Sequence, residues 1–206
     1  GTGLSVDSTS VVIVGYTSGM RCLVAALLTA TSLSAQNLVI TEFMARNATT
    51  SRDDLQGMSD WIEIHNPGPA AVSLSGWSLT DDPAVLTKFV LDNRMIPAGG
   101  FEVVRASGRN RRFANNTLHT NFELDGDRGG FLALVQPGGA VIASQFLFPA
   151  QRVDVSYGVA PGSTGALFFD APTPGAPNGT GYPGLAARVD ASVARGFYDA
   201  PIDVQL

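Results

Sequence analysis

The chain has 206 residues, 45% of them hydrophobic and 15% charged, which is enough apolar side chain for a packed core and too much for a disordered polymer. Its formal net charge of -5 argues against general affinity for nucleic acid or an anionic membrane surface. A single cysteine, Cys22, rules out an intrachain disulfide framework and offers no Cys/His zinc pattern.

Residues 1–19 carry no clear amphipathic pattern. Met20 and Arg21 make a short basic start to the apolar run 22–33, which has signal-peptide length and is too short to span a bilayer comfortably. Ala35 before Gln36 is the expected cleavage point, so residues 1–36 read as an upstream extension plus a signal-peptide helix. The mature chain is expected to be exported, to an extracellular, cell-surface or periplasmic location. Cys22 opens the apolar run instead of following it, which argues against a lipoprotein anchor.

From residue 37 to residue 170 short apolar runs alternate with turn residues. Residues 38–44 (LVITEFM) form a first strand, and 45–59 a polar loop. In 60–65 (DWIEIH), Ile62 and Ile64 alternate with Trp61, Glu63 and His65, the period of a half-buried strand. Asn66-Pro67-Gly68-Pro69 stops it, because proline has no ladder N–H and glycine tolerates a positive φ. Val72 and Leu74 resume the alternation, Gly76 breaks it, and Trp77 and Leu79 continue toward the turn at 80–83. Residues 101–106 (FEVVRA), 131–135 (FLALV) and 140–148 (AVIASQFLF) are further strands, the last two joined by a hairpin signal at Pro137-Gly138-Gly139. With weaker strands near 89, 122, 155 and 167 the count is about nine, the number and turn spacing of a β-sandwich. An eight-strand barrel is the competing architecture. Residues 171–195 begin with a Pro/Gly-rich stretch of linker type, and 196–206 read as the truncated start of a further domain.

Several side chains are candidates for chemistry. Trp77 is expected in the core. Trp61, on the face opposite Ile62 and Ile64, either offers an aromatic binding platform or packs under the 45–59 loop. Arg105, Arg109, Arg111 and Arg112 form a basic patch suited to phosphate or acidic polymers, unless they are simply a solvated loop. Asp53, Asp54 and Asp60, with Asp81, Asp82, Asp125 and Asp127, are candidate oxygen ligands for calcium, the one cofactor the sequence suggests. Glu42 and Glu63 either meet across adjacent strands as a carboxylate pair or, as is usual on a sandwich face, simply meet solvent or a nearby donor. His65 and His119 are the only histidines. A Ser-His-Asp arrangement stays open, but no nucleophile elbow or zinc-protease motif accompanies them, and no enzyme is expected.

Six separated motifs carry a family resemblance: ITEFMARN at 40–47, DWIEIHN at 60–66, LSGWSLTD at 74–81, IPAGG at 96–100, NFEL at 121–124 and VSYG at 155–158. TPGAPN at 173–178 follows as an exit sequence. In this order they resemble a bacterial lamin-tail domain. The resemblance implies an immunoglobulin-like sandwich serving as a non-catalytic accessory module of secreted or surface proteins. On that basis the expected function is a binding or spacer module that meets a protein or cell-envelope polymer through end loops or edge strands. The alternative is an accessory domain that targets a hydrolase or kinase-like catalytic domain absent from this chain. Residues 196–206 are similar to the opening of a small β-domain of secreted glycosidases.

Overall fold

A computed structural model describes residues 38–112, 117–186, 192–193, 196–199, 201 and 203. The expected signal peptide lies outside the described residues, and so do residues 200, 202 and 204–206 of the expected C-terminal strand; the described ones, 196–199, 201 and 203, are not in a strand. Among the described residues none is helical; all regular structure is strand. In chain order the strands are β1 (Val39–Met44), β2 (Asp60–His65), β3 (Val72–Ser73), β4 (Ser78–Thr80), β5 (Phe89–Val90), β6 (Met95–Ile96), β7 (Phe101–Ala106), β8 (Gly129–Val135), β9 (Ile142–Pro149), β10 (Ser156–Gly158) and β11 (Leu167–Phe169).

They form a β-sandwich. One sheet has the order β11-β10-β1-β2-β7, the other β5-β4-β8-β9, and β3 pairs with β6 in a small ribbon. Every named pairing is antiparallel. The core is one apolar cluster that joins Ile40, Phe43, Ile62, Ile64 and Val104 of the first sheet to Leu79, Phe89, Leu132, Leu134, Phe146 and Phe148 of the second. Phe43 meets Phe146 and Phe148 edge-on at 5.2 and 4.9 Å, the arrangement that aromatic quadrupoles favour. Trp77 lies in this core at 1% exposure, as its place in the alternating run predicts. The turn before it needs glycine: Gly76 has φ 81°, and a Cβ there would press on Pro137.

The half-buried reading of β2 is corrected. Ile62 and Ile64 face the core, but Trp61 and Glu63 on the opposite face are also fully buried. A bulge in β1 creates part of this arrangement. Ile40 stands opposite Ile64, yet Glu42 stands opposite Glu63, with Thr41 as the extra residue. The bulge lets both Ile40 and Phe43 point inward and sets Glu42 on the outer face beside Glu63.

Two irregular segments then cover that outer face. The 47–59 loop lies over the row Met44, Trp61 and Arg105. Thr50 Oγ1 bonds to Met44 Sδ at 3.3 Å, and Arg105 donates to Ser51 Oγ and the Arg52 carbonyl at 2.9 Å each. Residues 173–178 lie over the next row, Glu42 and Glu63. Thr173 N–H donates to Glu42 Oε2 at 3.1 Å and Gly175 N–H to Glu63 Oε2 at 2.6 Å. Asn178 Nδ2 donates to the carbonyls of Thr41 and Val159 at 2.9 and 3.1 Å. Farther on, Phe168 and Tyr182 exchange backbone hydrogen bonds, and Tyr182 Oη bonds to Asp170 at 2.6 Å. Residues 173–182 of the expected linker are thus held against the sheet.

Candidate functional site

Asp53, Asp54, Arg105, Arg109, Arg111 and His119 converge at one end of the sandwich, where the 47–59 loop meets the connection after β7. Arg109 pairs with Asp53 at 2.7 Å and Arg111 with Asp54 at 2.9 Å. Two arginines of the basic patch and two of the candidate calcium ligands are therefore each other's partners. Asp53 also accepts the N–H groups of Leu55 and Gly57 and the hydroxyl of Ser59 at 2.9, 2.7 and 2.6 Å. Burial pushes its carboxyl up, but these bonds from Ser59, Gly57, Arg109 and Leu55 outweigh it and hold Asp53 far below the usual carboxylate range. Asp60 is turned elsewhere: its Oδ1 accepts Asn47 N–H at 3.1 Å, and burial together with the nearby Glu123 raises its pKa to about 6.

These facts bear on two expectations. A carboxylate that already accepts from backbone, hydroxyl and guanidinium has few lone pairs left for a cation that wants six to eight oxygens. Among the described residues no group of three or more His, Cys, Asp or Glu is placed to hold a metal. The arginine patch is largely internal in use as well: Arg105 is 8% exposed, and Arg112 stacks over Phe89 at 4.7 Å. Trp61 is no platform. At 0% exposure it packs under the loop, the second of the two readings the sequence left open.

His119 bonds on both ring nitrogens, to Ser107 Oγ through Nδ1 and to Asp54 Oδ1 through Nε2, each at 2.8 Å. This is a Ser-His-Asp chain in composition. Its surroundings fit a structural tie better than a catalytic centre. His119 is fully buried, and Asp54 is simultaneously held by Arg111. Neither principal groove of the described structure includes Ser107 or His119 in its lining. A nucleophile must reach a site that also receives the substrate. The chain instead joins the loop after β1 to the connection after β7. His65 lies at the far end of the same sheet, stacked on Phe101 at 4.3 Å between ring centres.

The principal concavity lies elsewhere. A groove of about 630 Å³ opens where the first half of β1 diverges from β10 and faces β9 across the gap between the sheets. Its floor is Val39, Ile40, Phe146 and Tyr157. Its sides are Ser144, Gln145 and Leu147 of β9, Val159 to Ala166 after β10, and Pro177 and Asn178 of the segment docked on Glu42 and Glu63. His65 is the single ionisable side chain in the lining besides the Tyr157 phenol. Burial lowers the pKa of His65 and raises that of Tyr157, so both favour the neutral form. The volume falls in the range of sites that enclose a small molecule or a few residues of peptide.

β9 is the outermost strand of its sheet. Such an edge presents backbone groups that a neighbouring strand would use, and proteins ordinarily guard it with charge. This edge carries none: the run 141–148 reads VIASQFLF, with Val141 54% and Leu147 82% exposed. Besides the Phe43 packing, β9 is joined to β1 where Ser144 Oγ accepts the Ile40 N–H at 3.2 Å. The groove residues were not singled out in the sequence. The signal available was that charge-free run on a strand following a hairpin, where the solvent side should be polar.

The sandwich topology, the buried tryptophans and the covered outer face are accompanied by a family match. The lamin tail domain model matches residues 31–146. That span is more than half of the chain. The chain belongs to the lamin tail domain family. No curated protein matches it. The match closes within β9, whereas the five-stranded sheet continues beyond it through β10 and β11 beside β1.

Proposed function

We propose that this lamin tail domain is a non-catalytic binding module of an exported protein, and that its groove receives an extended, uncharged segment of a partner protein laid along β9. One observation carries the reading: an apolar groove runs beside an edge strand that has no charged residue to repel a new neighbour. In strand addition, main-chain hydrogen bonds supply affinity and alternate side chains entering pockets supply specificity. Ser144, Gln145 and Asn178 are the polar groups that would orient such a segment, and Phe146, Tyr157 and Leu147 its apolar contacts. The neutral lining on a chain of net charge -5 favours an uncharged segment over a basic or acidic one. Export is supported by the basic start, apolar run and small-residue end of residues 20–36.

The test is selection of displayed random peptides on the purified chain. Enriched peptides are expected to carry apolar residues at alternate positions and no charge in their middle. Ala160→Trp, which fills the groove, and Leu147→Lys, which charges its rim, are expected to weaken them at least tenfold. Peptides that bind both variants as well as the parent chain would overturn the reading. Envelope polysaccharide binding with no peptide enriched would replace it with a polymer-binding one.

A further inference from the structure

Glu42 and Glu63 stand opposite each other on β1 and β2, both with no exposed surface. Each is satisfied by neutral donors. Glu42 accepts from Ser156 Oγ of β10 and from Thr173; Glu63 accepts from Thr41 Oγ1 at 2.6 Å and from Gly175 N–H at 2.6 Å. Among the described residues no Lys, Arg or His is seen bonded to either carboxylate. Val103 of β7 completes the row beside Glu63, and Gly158 of β10 stands beside Glu42. The ionisable groups next along the same face are committed elsewhere, His65 to the Phe101 ring and Arg105 to the carbonyls of the 47–59 loop. Two carboxylates side by side, out of water and without a cation, do not both ionise cheaply.

The segment that shields them from water is also a wall of the groove, through Pro177 and Asn178. We infer that residues 173–178 are a proton-controlled strap: shut while Glu42 and Glu63 hold a proton between them, released when both ionise and draw in water, so that the groove loses its wall. The inference rests on the groove being the binding site and adds its regulation. The direction follows from linkage. Burial, opposed by the Thr41 and Gly175 bonds and helped by Glu42, raises the Glu63 pKa to about 7, and burial raises Glu42 too. A strap-open state with ordinary carboxylates binds fewer protons, so opening grows as pH rises from about 4.5 to about 7, by at most about tenfold per pH unit for each proton released.

The experiment is hydrogen exchange of the Thr173 and Gly175 amides at pH 5.5 and 8, corrected for intrinsic rates. Nile red titration of the groove at both pH values runs beside it. Protection of the two strap amides is expected to fall about tenfold or more toward pH 8, with no matching change in core amides of β2 and β8, and Nile red affinity is expected to fall severalfold. Glu63→Gln keeps an oxygen toward Gly175 and carries no charge, so its strap protection and dye affinity are expected to fall less with pH than in the parent chain, by the share that Glu42 alone supplies. Glu42→Gln gives a second, independent variant. Strap protection that does not change with pH in the parent chain, or that falls as steeply in both Gln variants as in the parent, overturns the inference. So does a pH-dependent strap with unaltered Nile red affinity. A pH-dependent strap on a chain that binds no Nile red at either pH defeats the groove reading and not the strap.

Discussion

One face of the five-stranded sheet is roofed twice, by two irregular segments with opposite electrostatics. Over Met44, Trp61 and Arg105 the 47–59 loop is stitched down by charge. Arg105 donates to loop carbonyls, Arg109 and Arg111 pair with Asp53 and Asp54, and His119 ties Asp54 to Ser107. Over Glu42 and Glu63 the 173–178 strap is held by two buried carboxylates and no cation. At the first roof Asp53 and Asp54 sit below their ordinary range, Asp54 chiefly through its bond to His119 and then through Arg111, while Asp60 at its margin is raised by burial. At the second they sit above it, chiefly through burial. The contrast shows that covering a sheet face need not involve a hydrophobic element. It also shows that the choice of donors decides which way each cover responds to pH.

The contrast can be broken in a graded series. Trp61→Ala should have the largest effect. Emptying a fully buried indole site under the loop is expected to cost about 3–5 kcal/mol in urea unfolding. Arg105→Ala leaves the Ser51 and Arg52 carbonyls without their donor and is expected to cost about 2–3 kcal/mol. Amide exchange should then rise across 47–59 while Thr173 and Gly175 stay protected; equal loss at both covers would mean that the two are one cooperative unit. Asp53→Asn is expected to cost about 1–2 kcal/mol at neutral pH. Because the folded Asp53 pKa is depressed, its contribution is present above the ordinary value of 3.8 and lost as pH falls. The variant should therefore show a shallower loss of melting temperature below pH 4 than the parent chain. Glu63→Gln should be the mildest change and opposite in sign. Its raised folded pKa gives a contribution present below 4.5 and lost as pH climbs through about 7, so the parent should lose stability from pH 5 to 8. The Gln variant should lose less, and match or exceed the parent at pH 8. A parent chain whose melting temperature is level across that range would erase the difference between the two covers.

Much of the fold was legible along the chain. Trp77 and Leu79 fall where the alternation places them, and Pro137-Gly138-Gly139 forms the β8–β9 hairpin, with glycine φ values of 96° and 74°. The bulge at Thr41 was not legible, since a one-residue slip alters which face each side chain takes without altering the composition of the run. The candidate site was legible in its members and not in their use. Asp53, Asp54, Arg109 and Arg111 were each visible as charged loop residues and Arg105 as a charged strand residue, and only folding showed that the first four pair with one another and that Arg105 serves the loop carbonyls. The groove escaped because it belongs to no single segment. β1, β9, the stretch after β10 and the strap each contribute a side, and residues as far apart as Val39 and Asn178 line it together.

The sequence by itself determined the class of structure. Period-two alternation punctuated by glycine and proline admits extended strands and little else, and the spaced motifs single out the family. Only the tertiary structure decided what is buried twice. Alternation says which side of a strand is apolar, whereas the fate of the other side depends on which distant loop comes to lie over it. That long-range choice put Trp61 out of reach of any partner, placed Glu42 and Glu63 under a strap, and left β9 beside an open groove.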